Sequence, residues 1–388
     1  MLRSFMHPFA RDLNRIYTAT LFFAVHYVLT IYINSSFLSG IVGEDKVGFL
    51  YAGGSFLGIV ILAILPSILQ RIGNRAGMAV AIMIEMASLA VMAASPHPMV
   101  VMAAFILHHA IIPVMYFHFS IFIQHYSKHS QTGSARGMFL TIVNSMFVAI
   151  PLLSGLLLSA TDFVSVYALS ALMTLPMLAG ILSVQHFKDS HYGNHSILSG
   201  VRIAIKNKSI GMIVMCNFIL QMFFAAMVIY MPIYLRDIGF GWGEIGVMFT
   251  IMLLPFMLFE YPLGKISDKY LGEKEILILG FVIIALSTGL IPFMHTLSIV
   301  AWTTLLFITR VGASSVEIMA ESYFFKMIRN GQAQLVSLWM SIASLSYILV
   351  PLGISASLAF ISLSHVFFAV ACIAALGVVF AYNIKDTL

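Results

Sequence analysis

A chain of 388 residues that is 61% hydrophobic and 9% charged cannot cover a water-facing surface, since soluble domains carry about 25% charged residues for that purpose. A mean hydropathy of +1.00 makes lipid its main solvent. The net charge of +5 follows from where Lys and Arg fall along the chain and implies no nucleic-acid partner.

The apolar runs recur along the whole chain at about 20 residues each, the length that crosses roughly 30 Å of hydrocarbon. Runs such as Ala171–Val184 do not alternate apolar with polar residues as membrane β-strands do. The expected fold class is therefore an all-α membrane protein. Residues 1–15 are polar and basic, lack a short apolar core before a cleavage site, and read as a cytoplasmic tail. Six spans are expected near 14–38, 46–70, 77–94, 99–125, 137–160 and 164–185. After a polar stretch, six more are expected near 210–235, 243–265, 275–294, 298–325, 334–357 and 364–384. Short connections carry turn chemistry, as at Gly73-Asn74, Ser95-Pro96-His97-Pro98, Gly239 to Gly243 and Asn330-Gly331.

With twelve helices and both ends inside, the basic residues segregate. Arg3, Arg11, Arg15, Arg71, Arg75, Lys128, Arg136, Lys188, Lys326, Arg329 and Lys385 fall on the inner side, and Lys46 and Arg236 on the outer. The longest polar segment divides the chain into bundles at 1–185 and 210–388, joined by a cytoplasmic linker at 186–209. In that linker Ile197, Leu198, Val201 and Ile205 recur at helical spacing beside Arg202, Lys206 and Lys208, the pattern of an amphipathic helix on the inner membrane surface. Cys216 and Cys372 fall inside apolar runs and indicate no disulfide framework.

Ionisable residues inside a membrane are costly and mark functional interiors. The first span offers His26, Tyr27, Thr30 and Asn34 on one side; the third holds Glu85; the fourth holds His108, His109 and His118; the seventh holds Asn217 and Gln221. The tenth is richest. At about 100° per residue, Arg310, Ser314, Glu317 and Glu321 share a stripe about 60° wide. Arg310 presents a fixed, bidentate charge suited to a carboxylate or phosphate, and Glu317 and Glu85 are the candidate proton carriers.

The halves also repeat at an offset of roughly 200 residues. Val47-Gly48 corresponds to Ile245-Gly246, Gln70 to Arg75 corresponds to Asp268 to Glu273, and Pro151 corresponds to Pro351. The run Gly264-Lys265-Ile266-Ser267-Asp268-Lys269-Tyr270-Leu271-Gly272-Glu273-Lys274 resembles the loop motif of the major facilitator superfamily of transporters. Its first-half counterpart keeps Arg71, Gly73 and Arg75, with Gln70 in place of the acid and Pro66 in place of the first glycine. The resemblance implies two pseudo-symmetric six-helix bundles, with the first, fourth, seventh and tenth helices lining a central cavity. It also implies a conformational gate at Gly264, Asp268, Lys269, Gly272 and Lys274, and at Arg71, Gly73 and Arg75. Gly264 is expected to permit close approach of a neighbouring helix.

There is no His-Glu-x-x-His zinc motif, no Gly-x-x-x-x-Gly-Lys-Ser/Thr phosphate loop and no Gly-x-Ser-x-Gly elbow in the sequence. An enzyme, a bound metal and a cofactor are accordingly not expected. The expected function is secondary active transport of a small solute in the cytoplasmic membrane, by alternating access, coupled to H⁺ and carried out by a monomer. The alternative is a transporter-like sensor or assembly factor that binds a ligand without net transport.

Overall fold

A computed structural model describes residues 8–126, 132–185, 187, 197–328 and 333–385. Arg3, Lys128, Lys188, Arg329, Asn330, Gly331 and linker residues 188–196 lie outside that set, as do the side chains of Arg136 and Asp268. Every described element is helical, the solution lipid favours because a helix satisfies its own backbone polar groups.

The first half comprises α1 (Pro8–Ile31), α2 (Asn34–Val42), α3 (Glu44–Ala94), α4 (Pro98–Tyr126), α5 (Thr132–Ala160) and α6 (Phe163–Ser183). A short α7 (Ile197–Lys206) precedes α8 (Lys208–Asp237), α9 (Trp242–Leu258), α10 (Glu260–Ile266) and α11 (Lys274–Gly289). The chain ends with α12 (Ile299–Met327), α13 (Ala333–Ser357) and α14 (Leu363–Tyr382). Ten helices are long and apolar enough to cross a membrane, or eleven with α1 and α2 taken as one bent span.

One expected span needs correction. The stretch 14–38 is not one helix: α1 and α2 meet at a 40° bend. There the Ile33 N–H bonds Thr30 O at 3.0 Å, an i−3 turn, and the Thr30 hydroxyl donates to Tyr27 O at 3.1 Å. Such back-bonding competes with the helical ladder. The second and third spans form α3 as two helical stretches that break at Gly73 (φ 76°, ψ 162°), where the turn was expected. That turn lies in the left-handed region that glycine tolerates.

Its second-half counterpart is Gly272 (φ 71°, ψ −179°), which closes a π-helical turn over Ser267–Leu271. This corrects the register of the repeat. By sequence Gly73 pairs with Leu271, whereas by backbone conformation it pairs with Gly272. Gly73 follows Gln70 by three positions, whereas Gly272 follows Asp268 by four. The π turn absorbs the extra residue through an i→i−5 bond from Gly272 N–H to Ser267 O at 3.0 Å.

The chain forms two compact units, residues 1–37 with 53–194 and residues 38–52 with 195–388. In the first, α1 packs against α4, α5 and α6 around buried Phe23, Met115, Phe119, Phe122 and Met177. In the second, α11 packs against α12 and α14, and α8 against α13 and α14. A Cβ on Gly312 would lie 2.7 Å from Gly280 O, so α11 and α12 touch backbone to backbone. Helix α7 rests on α13 with Gly200 against the Gln334 carbonyl. Its Leu198 and Ile205 stay exposed beside Arg202 and Lys206.

Candidate functional site

Within the first unit, three helices direct titratable side chains to one buried point. Glu85 of α3 places Oε1 2.7 Å from His108 Nδ1 of α4 and 3.3 Å from His26 Nε2 of α1. All three side chains are at most 1% exposed. Burying a lone carboxylate costs several kcal/mol, so this acid is tenable only because partners able to carry positive charge or donate hydrogen bonds converge on it.

The network continues beyond the acid. His108 Nε2 lies 3.2 Å from Asn34 Nδ2 at the start of α2, and Asn34 Oδ1 accepts from the Tyr167 hydroxyl of α6 at 2.7 Å. Hydroxyls from α5 and α6 tie α1 in place near its bend: Ser154 donates to Leu29 O at 3.0 Å and Ser170 to His26 O at 2.9 Å. Glu85 Oε2 and both ring nitrogens of His26 find no hydrogen-bond partner among the described residues. The cluster therefore retains unused hydrogen-bonding capacity beside aromatic rings. Phe23 lies 5.3 Å from His26 and Phe105 lies 6.1 Å from His108.

Not every candidate joins this cluster. Tyr27 is half-buried and packs edge-on against Tyr116 and Phe147, and the Thr30 hydroxyl is committed to Tyr27 O. The fourth span's histidines serve three different partners. His108 meets Glu85, His109 meets Ser55 Oγ at 2.9 Å, and His118 Nδ1 meets Asn74 Oδ1 at 2.7 Å.

In the second unit, Arg310 of α12 is 2% exposed, with its guanidinium carbon 5.2 Å from the Phe223 ring and 5.7 Å from Phe224, both on α8. Cation–π attraction of this kind suits a desolvated guanidinium. Ser314 is buried, Glu317 is half-buried and Glu321 is exposed, so the stripe passes from interior to surface. Asn217 accepts from Gln221 Nε2 at 3.5 Å along α8.

Around the two glycine turns, Gly264 departs from expectation: a Cβ there would meet nothing within 4 Å. Its helix face is open, and the close backbone approach in this unit occurs instead at Gly280 and Gly312. Lys269 and Arg71 are exposed; Lys274 Nζ lies 4.9 Å from the centre of the Tyr382 ring; and Arg75 donates to the Leu182 carbonyl.

Two residues that sequence reasoning passed over are prominent. Glu273, the residue after Gly272, is fully buried under Lys326 Nζ at 2.6 Å and accepts from Ser322 Oγ at 3.2 Å. Its place next to a motif glycine was the available signal. Tyr167 sits in an apolar run and gave none. Among the described residues no group of three or more His, Cys, Asp or Glu side chains is arranged to hold a metal ion. Asp162, outside the spans, caps α6; the Ser165 N–H at 2.9 Å, with the Ser165 hydroxyl, holds its carboxyl below the usual range.

The sequence profile of the Major Facilitator Superfamily matches residues 16–328 and, in a second match, 213–387. The chain thus belongs to the major facilitator superfamily and is a multi-pass membrane transporter. Its fold is similar to that of solved POT family transporters. The structure of the POT family transporter PepTSo superposes with a TM-score of 0.75 at 13% identity, covering 96% of this chain and 97% of that one. A POT family transporter in complex with a thioalcohol-conjugated peptide gives 0.77 at 12% identity, covering 95% of each chain. Another, in complex with 5-aminolevulinic acid, gives 0.76 at 13%, covering 97% of this chain and 96% of that one. No match was found among curated protein sequences.

Proposed function

We propose that this protein is a proton-coupled secondary active transporter of a small solute, with Glu85 and the two histidines that meet it as the proton-carrying cluster. One observation carries the reading: a fully buried carboxylate shared between two buried histidines, 2.7 and 3.3 Å away. A group that serves only packing has no need of two titratable partners at one point. A site that must gain and lose a proton within the membrane does. Glu317, half-buried on α12, becomes the second candidate.

The reading includes twelve crossings. Dividing the 51-residue α3 at Gly73 adds one crossing to the ten candidate spans, and joining α1 to α2 adds another. A continuous helix of that length would measure about 76 Å, more than twice a hydrocarbon core. Both termini then lie on the cytoplasmic side of the cell membrane, as the basic residues require, and the protein works as a monomer by alternating access.

Arg310 supplies the second element, a buried guanidinium suited to a solute carboxylate. The similar POT structures hold a peptide conjugate and 5-aminolevulinic acid, which directs the first solutes to test toward short peptides and amino acids.

The test is purified protein in liposomes loaded with a pH-sensitive dye and challenged with those solutes. Solute-dependent proton entry lost in Glu85→Gln and retained in Glu317→Gln is the expected result. Proton entry that survives Glu85→Gln, or none with any solute, would sink the assignment.

A further inference from the structure

We infer that Asn34 is the positioning residue that reads the protonation state of His108, reversing its side-chain amide when the ring gains a proton and passing that change to Tyr167 and the start of α2. The inference rests on the proton-coupled reading above and adds the route by which a bound proton reaches the backbone.

The argument is one of donor and acceptor counting. Asn34 presents its NH₂ to His108 Nε2 at 3.2 Å and its carbonyl oxygen to the Tyr167 hydroxyl at 2.7 Å. An amide NH₂ only donates, so in this arrangement Nε2 must accept, and the ring is neutral with its hydrogen on Nδ1. That hydrogen points at Glu85 Oε1, 2.7 Å away. Each contact along this line pairs a donor with an acceptor, and each residue in it is at most 3% exposed.

A proton arriving on His108 can add only at Nε2, because Nδ1 already bears one. The new N–H would then face the amide N–H, two donors meeting between side chains that are at most 3% exposed. Rotating the amide by half a turn removes the conflict. The carbonyl oxygen then accepts from Nε2–H, and the NH₂ turns toward Tyr167. The Tyr167 hydroxyl can no longer donate to Asn34; its oxygen becomes the acceptor and its hydrogen must turn elsewhere. No bond other than the new N–H is made or broken.

What makes this consequential is where Asn34 stands. It opens α2 directly after the 40° bend, and Phe37, one turn on, packs its ring 4.8 Å from Tyr167 and 5.4 Å from Phe163. The first turn of α2 is thus fastened to α6 by the amide–hydroxyl bond and by ring contacts on the same tyrosine. Changing that bond loosens or re-registers the only irregular point of the first span.

The groups that bear on His108 come from every neighbouring element. They are Glu85 from α3, His26 from α1 through the shared carboxylate, Asn34 from α2, Tyr167 from α6 and His109 on its own helix. The only charged residue of α5, Arg136, stands in its first turns, remote in sequence from Ser154, which bonds α1. His108 is bonded through both ring nitrogens, one to a carboxylate and one to an amide able to reverse.

The experiment is a pH titration of the full-length protein in lipid nanodiscs, following nitrogen-15 signals of histidine rings and asparagine side chains. His108→Gln and Asn34→Ala spectra supply the assignments. In the wild type, Nε2 of His108 should change from acceptor to protonated, and the Asn34 amide signal should move with the same midpoint. In Asn34→Asp, whose carboxylate only accepts, the His108 midpoint should rise by about one pH unit or more. Tyr167→Phe keeps the ring against Phe37, removes the bond that holds the amide, and should raise the midpoint by less. An Asn34 signal that stays fixed while His108 titrates would overturn the inference. So would a proton that settles on Glu85 or His26 while His108 stays neutral. The titration needs no solute, so failed transport in liposomes would count against proton coupling without touching this result.

Discussion

The two units bury charge by opposite means. In the first, the buried acid Glu85 is held by His26 and His108, whose own charge depends on pH. In the second, buried Glu273 is held by Lys326 at 2.6 Å, and buried Arg310 lies against two phenylalanine rings. Lysine and arginine keep their charge across the physiological range. The partners in the first cluster are thus of a residue type that exchanges protons near neutral pH, whereas those in the second unit are fixed cations. Partner chemistry, more than burial or distance, separates a site able to carry a proton from one that locks a helix end.

The sharpest way to break this contrast is Glu85→Gln. Replacing the acid should reduce proton-driven solute uptake by about a hundredfold, the low end of what a positioned proton-transfer group contributes, while solute counterflow at equal pH on both sides persists. His108→Gln should produce the same split, less severely, because His26 remains. Equal loss of uptake and counterflow would place both residues in the structural framework. The second unit should respond in stability. Lys326→Met leaves Glu273 buried without its cation, a change that costs about 3–5 kcal/mol for a fully buried pair. The Lys326 side chain is 42% exposed, so solvent screening reduces the expected loss to about 1–2 kcal/mol, read as a lower Tm in detergent.

How much of this was legible in the sequence depends on the kind of signal. Composition and apolar run length give the all-helical class outright, because lipid imposes one rule on every residue. The bend at Tyr32 and Ile33 was not legible: Thr30 in an apolar run carries no mark of whether its hydroxyl will turn back on the backbone. Glu85 was visible as a charge in a span, and His108 as a histidine in another, yet their meeting depends on how α3 and α4 pack. The motif glycines were visible, but the repeat register slipped by one residue because a π turn leaves no signature in composition. That register is itself testable. Gly73→Ala and Gly272→Ala place a Cβ on residues with φ of 76° and 71°, and each should cost about 1–3 kcal/mol in thermal stability. A penalty at only one of them would deny their equivalence.

The smallest expected effect isolates the buried cluster from ordinary surface titration in the same unit. Asp162 caps α6, the helix that carries Tyr167, and the Ser165 N–H at 2.9 Å holds its carboxyl below the usual range. A carboxyl depressed in the folded state contributes stability above its unfolded pKa and loses it as pH falls through the folded value. Asp162→Asn keeps the capping oxygen and removes only the charge, so it should flatten that acid limb slightly, by about 1 °C in Tm. It should leave the pH profile of transport unchanged. Because the residue is fully exposed and lies outside the spans, any shift in the transport profile would mean that surface charge on α6 reaches the network through Tyr167. The pH response of the first unit would then no longer belong to Glu85 and its two histidines alone.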